Sequence, residues 1–288
     1  MSEKPTLAII GGSGLYSMAG LNDTKEVYPE TPFGKPSAPV VVGTLEGHRI
    51  AFLARHGIGH HIMPTEVPYR ANIYALKALG VERIVSINAC GSLRQDYAPG
   101  HIVIPDQLFD NTRDRARTFF GEGLVAHIGV AEPFCPDLSA QLKTAVQATG
   151  ATLHDKGAFI IIEGPRFSTR AESDTYRGWG MSIIGMTAAP EAFLAREAEM
   201  CYTVMAHVTD YDVWHVNEAP VTVEMVIKTL NQNTLTAQKA IQYLVKELSE
   251  KRSCTCENAL SNAIITNPGA IPPETRKNVD LLVKKYLN

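Results

Sequence analysis

The chain is poor in the residue types that mark secreted, membrane-spanning and nucleic-acid-binding proteins. Its 288 residues include only five cysteines and two tryptophans, and no apolar run approaches the roughly 18–20 residues of a membrane span. The 27 basic and 30 acidic residues give a net charge of -3, which provides no positive field for nucleic acid. The first residues lack the apolar stretch of a signal peptide. We therefore expect a soluble, cytoplasmic protein that binds neither membrane nor nucleic acid.

The cysteines lie too far apart along the chain to suggest a metal site or a disulfide framework. They occupy positions 90, 135, 201, 254 and 256, and no zinc-binding or nucleotide-triphosphate motif accompanies them. Cys254 and Cys256 are the only close pair, and we interpret them as ordinary thiols. The spacing therefore predicts no metal ligand.

Short apolar runs alternate with helix-like stretches along most of the chain. The runs cover 7–10, 40–42, 50–53, 84–87, 102–104, 159–162, 183–186 and 202–208, and the stretches cover 66–79, 138–148, 169–179, 190–200 and 223–248. Such alternation predicts an α/β fold, a single domain with a central mixed β-sheet flanked by helices. We expect residues 1–250 to form the main body and residues 251–288 a C-terminal helical extension of the same domain. Long connections are expected at 28–39 and 110–117.

Two carboxylates follow the last strand-like run. Asp210 and Asp212 stand where residues 201–209 end, and ligands in open α/β sheets bind at the carboxyl ends of strands. Two acids one residue apart raise each other's pKa, which suits proton donation to a substrate. An isolated Asp-x-Asp is more often a turn or a helix cap, so this interpretation depends on the rest of the chain.

Three other strand exits carry groups that bind anions. Ser13 lies in the glycine turn 11–14, Arg55 and His56 follow the run 50–53, and Asn88 lies within the small, polar turn 86–92. Backbone N–H groups, a guanidinium and an amide all donate to phosphate oxygens. Taken singly, each has a plainer explanation: a tight turn, a surface salt bridge or a core imidazole. Together they predict one phosphate-sized pocket.

Two further residues suit a nucleoside, and a third offers a hydroxyl. Phe167 could stack on a flat ring, and Met186 could pack against a sugar, although both residue types more often lie in a core. Thr187 places a hydroxyl at a strand exit shortly before a helix.

These residues occur within stretches that together resemble the purine nucleoside phosphorylase family, in particular the methylthioadenosine phosphorylase branch of its trimeric class. The resemblance extends from about residue 9 to about residue 230. The stretches are GGSGL (11–15), TPFGKPS (31–37), LARHG (53–57), HIMP (61–64), ACGSL (89–93), AEPFCP (131–136), EGPRFS (163–168) and TDYDVW (209–214).

The resemblance implies a catalytic domain over residues 1–250 and a role for each candidate residue. Phosphate would contact Ser13, Arg55, His56, Asn88, the backbone of Ala89, and Thr187. The nucleoside would contact Phe167, Met186, Asp210, Asp212, His127 of a neighbouring subunit, and Val223, Val226 and Ile227 near a 5′-methylthio group. The last three residues also fit a plain helix core face.

The reaction implied is phosphorolysis of 5′-methylthioadenosine to adenine and 5-methylthioribose 1-phosphate, with Asp210 as the acid on the purine. Phosphate is a co-substrate, no other cofactor is expected, and a homotrimer or hexamer is implied. Relatives that cleave 6-oxopurine nucleosides carry Asn at the position of Asp210, so Asp210 favours 6-aminopurines. Phosphorylases of adenosine, inosine or methylthioinosine remain alternatives, as do a hydrolase, a dinucleotide-binding oxidoreductase and a non-catalytic nucleoside-binding protein.

Two features qualify the resemblance. Ser13 and Asn88 stand where animal members have Thr, which makes Asn88 the weakest of the predicted phosphate ligands. The pair Cys254 and Cys256 resembles a pair in heat-stable archaeal members, where cysteines matching Cys135 and Cys201 can also be bridged. Disulfides at these positions are therefore an expectation carried by the resemblance alone.

Overall fold

The computed structural model describes residues 4–12, 18–215, 222–249 and 251–287, and of residues 225–232 only the backbone. Within these ranges eleven strands form one mixed sheet. The strands are β1 (Leu7–Gly11), β2 (Asn22–Val27), β3 (Val40–Leu45), β4 (His48–Ala54), β5 (Arg83–Ser92), β6 (Ile102–Val103), β7 (Gln107–Asn111), β8 (Leu153–His154), β9 (Ala158–Ile162), β10 (Ile183–Gly185) and β11 (Cys201–Asp210).

Six α-helices in the described part of the chain flank this sheet: α1 (Tyr69–Ala78), α2 (Pro136–Ala148), α3 (Arg170–Gly178), α4 (Ala188–Glu197), α5 (Val223–Glu247) and α6 (Pro273–Val283). The α3 helix begins with a capping box, in which Thr169 Oγ1 accepts from the Glu172 N–H and the Glu172 carboxylate accepts from the Thr169 N–H. No helix in the described ranges is both long and apolar enough to cross a membrane.

The sheet follows the order β2-β3-β4-β1-β5-β10-β9-β7, and β11 pairs with the other edge of β5 and with β6. The strands β1, β4, β5 and β11 are parallel, whereas β10 is antiparallel to β5. The predicted α/β fold with a central mixed sheet and flanking helices is therefore confirmed.

The central strands are buried on both faces. In β1, Leu7 and Ile9 pack into the cluster that includes α2 and α5, whereas Ala8 and Ile10 pack into the cluster that includes α1 and α4. Side chains that alternate between two covered faces explain why these strands read as continuous apolar runs. The C-terminal segment shares this core, because residues of α6 such as Val279 and Val283 are buried in the cluster with α1 and α4.

Three sequence-based boundaries were wrong. The predicted polar turn 86–92 is strand to its end, because β5 continues to Ser92 through its pairing with β11 and β10. The stretch 66–79 was expected to be helical throughout, but α1 begins at Tyr69 because Pro68 restricts the backbone of Val67 before it. The expected connection over 110–117 begins inside β7, which pairs with β9 as far as Asn111.

Candidate active site

The predicted polar residues meet at one edge of the sheet. Arg55 follows β4, Asn88 lies in β5, and Asp210 ends β11, three parallel strands whose carboxyl ends lie side by side. Because β10 runs antiparallel to β5, its exit returns toward the middle of β5 and places Thr187 beside Asn88. The topology therefore gathers residues that are up to 155 positions apart.

Arg55 is buried and paired with a carboxylate that the sequence analysis did not single out. Its Nε and Nη2 atoms donate to the two carboxylate oxygens of Glu191 at 2.8 and 2.9 Å, and Nη1 donates to the Ile87 carbonyl at 3.3 Å. Burial disfavours the charged guanidinium, but the Glu191 carboxylate more than offsets this and raises the pKa of Arg55. The surface salt bridge considered for Arg55 is thus a buried, bidentate ion pair.

Asn88 and Thr187 continue this hydrogen-bond network. Asn88 Nδ2 donates to Thr187 Oγ1 at 2.8 Å, and Asn88 Oδ1 lies 2.8 Å from the hydroxyl of Ser86. The Ser86 hydroxyl also lies 2.9 Å from Glu191 Oε1, to which the Tyr202 hydroxyl donates at 2.8 Å. The carboxylate of Glu191 therefore holds the arginine, β5 and β11 in a fixed arrangement.

His56 is held as a neutral imidazole. Its Nδ1 atom lies 2.8 Å from the Ile62 carbonyl, which can only accept, so Nδ1 carries the proton. Burial, and then the charge of Arg55, lower the pKa of His56 to about 4. At neutral pH its Nε2 atom is therefore free of a proton and able to accept a hydrogen bond from a phosphate hydroxyl.

The remaining predicted phosphate contacts are partly described. The backbone N–H of Arg55 donates to the carbonyl of Gly11 at 3.0 Å, so the glycine turn begins beside the arginine. Ser13 lies outside the described residues. Ala89 is half-buried in β5, where it pairs with His207 of β11.

Asp210 is a buried acid whose two carboxylate oxygens accept hydrogen bonds from neighbouring residues. Its Oδ2 atom accepts from the Thr209 hydroxyl at 2.6 Å and its Oδ1 atom from the Asp212 N–H at 2.8 Å. Burial raises the pKa of Asp210, and the charge of Asp212 adds to that rise against these two hydrogen bonds. The Thr209 hydroxyl also lies 3.2 Å from the Cys90 carbonyl, so it can turn there when Asp210 is protonated.

Asp212 is also buried, and its backbone is left-handed. It adopts φ of 52°, a conformation that is uncommon outside Gly but that Asn and Asp adopt more often than most residues. Burial raises its pKa, while the nearby hydroxyls of Ser173 and Ser168 oppose the rise. Among the described residues none forms a well-aligned hydrogen bond with Asp212 Oδ2 or with either hydroxyl. The turn interpretation of the two acids is partly right, since the Asp212 N–H closes a turn onto Asp210.

The absence of a side chain at Gly91 leaves room beside the carboxylate of Asp210 and the side chain of Asp212. A Cβ atom added there would lie 2.9 Å from Asp210 Oδ1, 3.1 Å from Ile184 Cγ2 and 3.4 Å from Asp212 Cβ. Because the first of these distances is shorter than real Cβ contacts and the second is tight, a side chain at position 91 would displace the Asp210 carboxylate, so β5 favours glycine here.

Four of the six predicted nucleoside contacts other than the two acids have side chains that the structure describes. Phe167 is 37% exposed, so its ring is not in the core, and the Met186 sulfur lies against bare backbone at Gly164, where a Cβ would be 2.6 Å away. His127 is exposed, and Val223 is 62% exposed, which excludes the core-face alternative for Val223 within the isolated chain. The side chains of Val226 and Ile227 lie outside the described residues.

Sequence reasoning missed two residues that support the site. Glu191 follows a strand exit in the first turn of α4, and that position is the one signal that pointed to it. Arg115 donates to the carbonyls of Met186, Ala189 and Glu163 at 2.6, 2.7 and 2.8 Å and to the Glu163 carboxylate at 3.0 Å. It lies in a predicted connection, so no pattern marked it.

The site thus combines a strand-end hydrogen-bond network for an anion with two buried acids, on a mixed sheet flanked by helices. The chain belongs to the phosphorylase superfamily, whose family model matches residues 6–246.

Individual relatives cover nearly the whole chain. It is 54% identical to S-methyl-5'-thioadenosine phosphorylase of Geobacter sulfurreducens, over 98% of this chain and 99% of that protein. A methylthioadenosine phosphorylase from an antarctic soil metagenomic library has a similar crystal structure, with a TM-score of 0.93, 46% identity and coverage of 98% and 99%. The methylthioadenosine phosphorylase of Schistosoma mansoni in complex with adenine gives a TM-score of 0.81 at 33% identity, with 98% of each chain covered.

Proposed function

We propose that the protein catalyses phosphorolysis of 5′-methylthioadenosine, giving adenine and 5-methylthioribose 1-phosphate. The observation that carries the proposal is Asp210, a buried acid of raised pKa at the end of β11, on the same sheet edge as the Arg55–Asn88–Thr187 network. Relatives of about 50% identity that carry the name S-methyl-5'-thioadenosine phosphorylase support the same activity.

At the anion end, phosphate is bound by Arg55, His56, Asn88, Thr187 and the backbone of Ala89, with Ser13 from the glycine turn. Arg55 keeps its charge because Glu191 stabilises it. Neutral His56 accepts a hydrogen bond from the phosphate hydroxyl at Nε2 and so orients the phosphate, whose unprotonated oxygen attacks C1′ of the ribose. Phosphate is the co-substrate, and the reaction needs no other cofactor.

At the purine end, the bond from C1′ to N9 breaks and its electron pair passes to the base. Asp210 donates a proton to N7 and so stabilises the charge that develops there. An aqueous Asp titrates near 3.9, so half-protonation at pH 7 requires a shift of about 3 units, roughly 4 kcal/mol. Burial and Asp212 act in this direction. Asp212 contacts the base, while Phe167 and Met186 pack against the ribose.

The 5′ end of the nucleoside lies near the start of α5. We assign the contacts with the methylthio group to Val223, Val226 and Ile227, and an exposed Val223 suits a contact that forms with the ligand. Because an apolar pocket rejects an added hydroxyl only weakly, the selection of methylthio over hydroxyl is modest.

The experiment that tests this function compares base release from 5′-methylthioadenosine and inosine with and without phosphate. We expect adenine release that depends on phosphate and little hypoxanthine. Release at equal rates without phosphate would replace the proposal by a hydrolase, and faster hypoxanthine release would replace it by a 6-oxopurine phosphorylase.

The choice of base is tested at Asp210. An Asn at this position can donate to a 6-oxo group but cannot protonate N7, so Asp210→Asn should cost far more rate on methylthioadenosine than on methylthioinosine. The measurement is kcat/KM for both nucleosides, with Asp96→Asn on the surface as the matched control. Equal losses on the two nucleosides would contradict the role given to Asp210.

We also propose a cytoplasmic homotrimer in which His127 reaches the site of a neighbouring subunit. His127 is exposed, and along the chain it stands between Val125 and Val130, which are exposed as well; the N–H of the exposed Ile265 donates to the Val125 carbonyl. Exposed apolar side chains near a polar residue suit a subunit contact. Light scattering would give three chains per particle, and six would indicate a dimer of trimers.

A further inference from the structure

Four of the five cysteines come together far from the purine end of the site. Cys135 caps the start of α2, Cys201 begins β11, and Cys254 and Cys256 belong to the segment that follows α5. All four sulfur atoms lie within 4.8 Å of one another, and the sulfurs of Cys201 and Cys254 are 3.3 Å apart. The sequence spacing gave no sign of this cluster because its members come from three separate segments.

The dimensions of the cluster suit a single tetrahedral ion. With zinc–sulfur bonds of about 2.3 Å, the sulfurs of a tetrahedral site lie about 3.8 Å apart. Side-chain rotations that change the sulfur–sulfur distances by about 1 Å would bring the four sulfurs to that spacing. Clusters of several irons need wider spacing, because each thiolate binds a different iron. No two of these cysteines are bonded to each other in the structure.

The surroundings also suit a negatively charged thiolate site. Four thiolates and one divalent ion carry a net charge of -2, and two arginines and a helix N-terminus face the cluster. Arg196 Nη1 donates to the sulfur of Cys256 at 3.5 Å, the Leu138 N–H donates to the sulfur of Cys135 at 3.5 Å, and Arg252 lies beside Cys201. Such outer contacts orient thiolate ligands and stabilise their charge.

We propose that Cys135, Cys201, Cys254 and Cys256 bind one Zn²⁺ ion per chain. Four protein ligands leave no open position, so the ion is structural and takes no part in phosphorolysis. Thiolates prefer zinc over magnesium or calcium. The ion fastens the segment that follows α5 to the first turn of α2 and to the first residue of β11.

The first test is the metal and thiol content of the full-length protein. The protein is reduced, given one equivalent of zinc and desalted, and its metal is measured by mass spectrometry. We expect about one zinc per chain and five free thiols after denaturation with a chelator. Protein that retains no zinc overturns the proposal. A count of only one free thiol per chain in protein purified without reductant would also overturn the proposal, because two disulfides would then occupy the four cysteines.

The second test uses single substitutions with a cysteine control. Cys254 is the most exposed of the four, so Cys254→Ser is the variant most easily folded, and it should bind zinc at least tenfold more weakly. Cys90 is buried outside the cluster, and Cys90→Ser should retain one zinc per chain. Equal zinc retention in both variants would contradict the assignment.

A third measurement does not depend on any variant. Cobalt added to the reduced wild-type chain should give the intense visible bands and the thiolate charge-transfer band of a tetrahedral sulfur site. A weak, octahedral cobalt spectrum would overturn the proposal.

Discussion

The ion pair between Arg55 and Glu191 leads to a quantitative prediction about stability. Both side chains are almost fully buried, at 3% and 0% exposure, and they form two hydrogen bonds. Replacing Glu191 by Gln keeps the size of the side chain but removes its charge. The guanidinium of Arg55 then stays buried without a counter-ion, and the amide group of Gln offers only one acceptor oxygen to the three groups that now donate to Glu191.

The expected magnitude follows from the geometry. With charge centres about 4 Å apart and an effective dielectric constant of about 20, the attraction is about 4 kcal/mol. Removing one partner of a buried pair typically costs about 3–5 kcal/mol. We therefore expect Glu191→Gln to lower the free energy of unfolding by that amount. The exposed pair Arg94–Asp96 provides the control, and Asp96→Asn should cost no more than about 1 kcal/mol.

The assay is urea unfolding at one fixed protein concentration, because the stability of an oligomer depends on concentration. A double variant, Arg55→Met with Glu191→Leu, removes both charges and should be less destabilised than Glu191→Gln alone. If Glu191→Gln costs as little as Asp96→Asn, the carboxylate does not compensate the buried arginine and the reasoning is wrong.

Two further predictions concern the phosphate end and acid stability. Thr187→Val leaves Asn88 Nδ2 without its acceptor, which typically costs about 1–3 kcal/mol. The KM for phosphate should therefore rise in Thr187→Val and stay near the wild-type value in Thr187→Ser. Steady-state kinetics with varied phosphate measure this, and an unchanged KM in Thr187→Val would contradict the role given to Thr187. Glu163 accepts four hydrogen bonds, which outweigh burial and lower its pKa from 4.5 to about 2. A lowered pKa in the folded state stabilises the protein above pH 4.5, and this contribution is lost as the pH falls toward 2. Glu163→Gln should therefore be less stable than wild type at pH 7, and the difference in unfolding free energy between the two proteins should narrow below pH 4.5. A difference that does not change with pH would contradict this.

The fold was predictable wherever burial left an apolar pattern. The fully buried strands β1 and β11 and the buried part of β4 read directly as apolar runs, and α3 was marked by its capping box. The β2 strand was not found, because its sequence NDTKEV is polar and mostly exposed. It belongs to the sheet through backbone hydrogen bonds with β3, which carry no residue-type signal.

The site was predictable at strand exits and unpredictable where a side chain acts across the fold. Arg55 follows a strand and Asp210 ends one, so position alone indicated them, whereas Asn88 lies within β5 in a stretch that was predicted to be a turn. Glu191 and Arg115 have no local signal of comparable strength, since their partners lie as far as 136 residues away in the chain. The cysteine cluster follows the same rule, because spacing along the chain cannot report contacts between separate segments.

The two ends of the proposed site differ in how their charge is balanced. At the end that we assign to phosphate, Glu191 already neutralises Arg55, so an arriving phosphate would meet hydrogen-bond donors and one compensated cation. Very tight binding of ground-state phosphate would lower KM without raising kcat, and the ion pair limits such binding. At the purine end the acids have no cation among their described hydrogen-bond partners, so burial keeps the pKa of Asp210 raised. In the proposed mechanism, this proton donor interacts most strongly with a purine that is gaining electrons. The electrostatic effect that we propose is thus concentrated on the leaving base, where the charge appears only in the transition state.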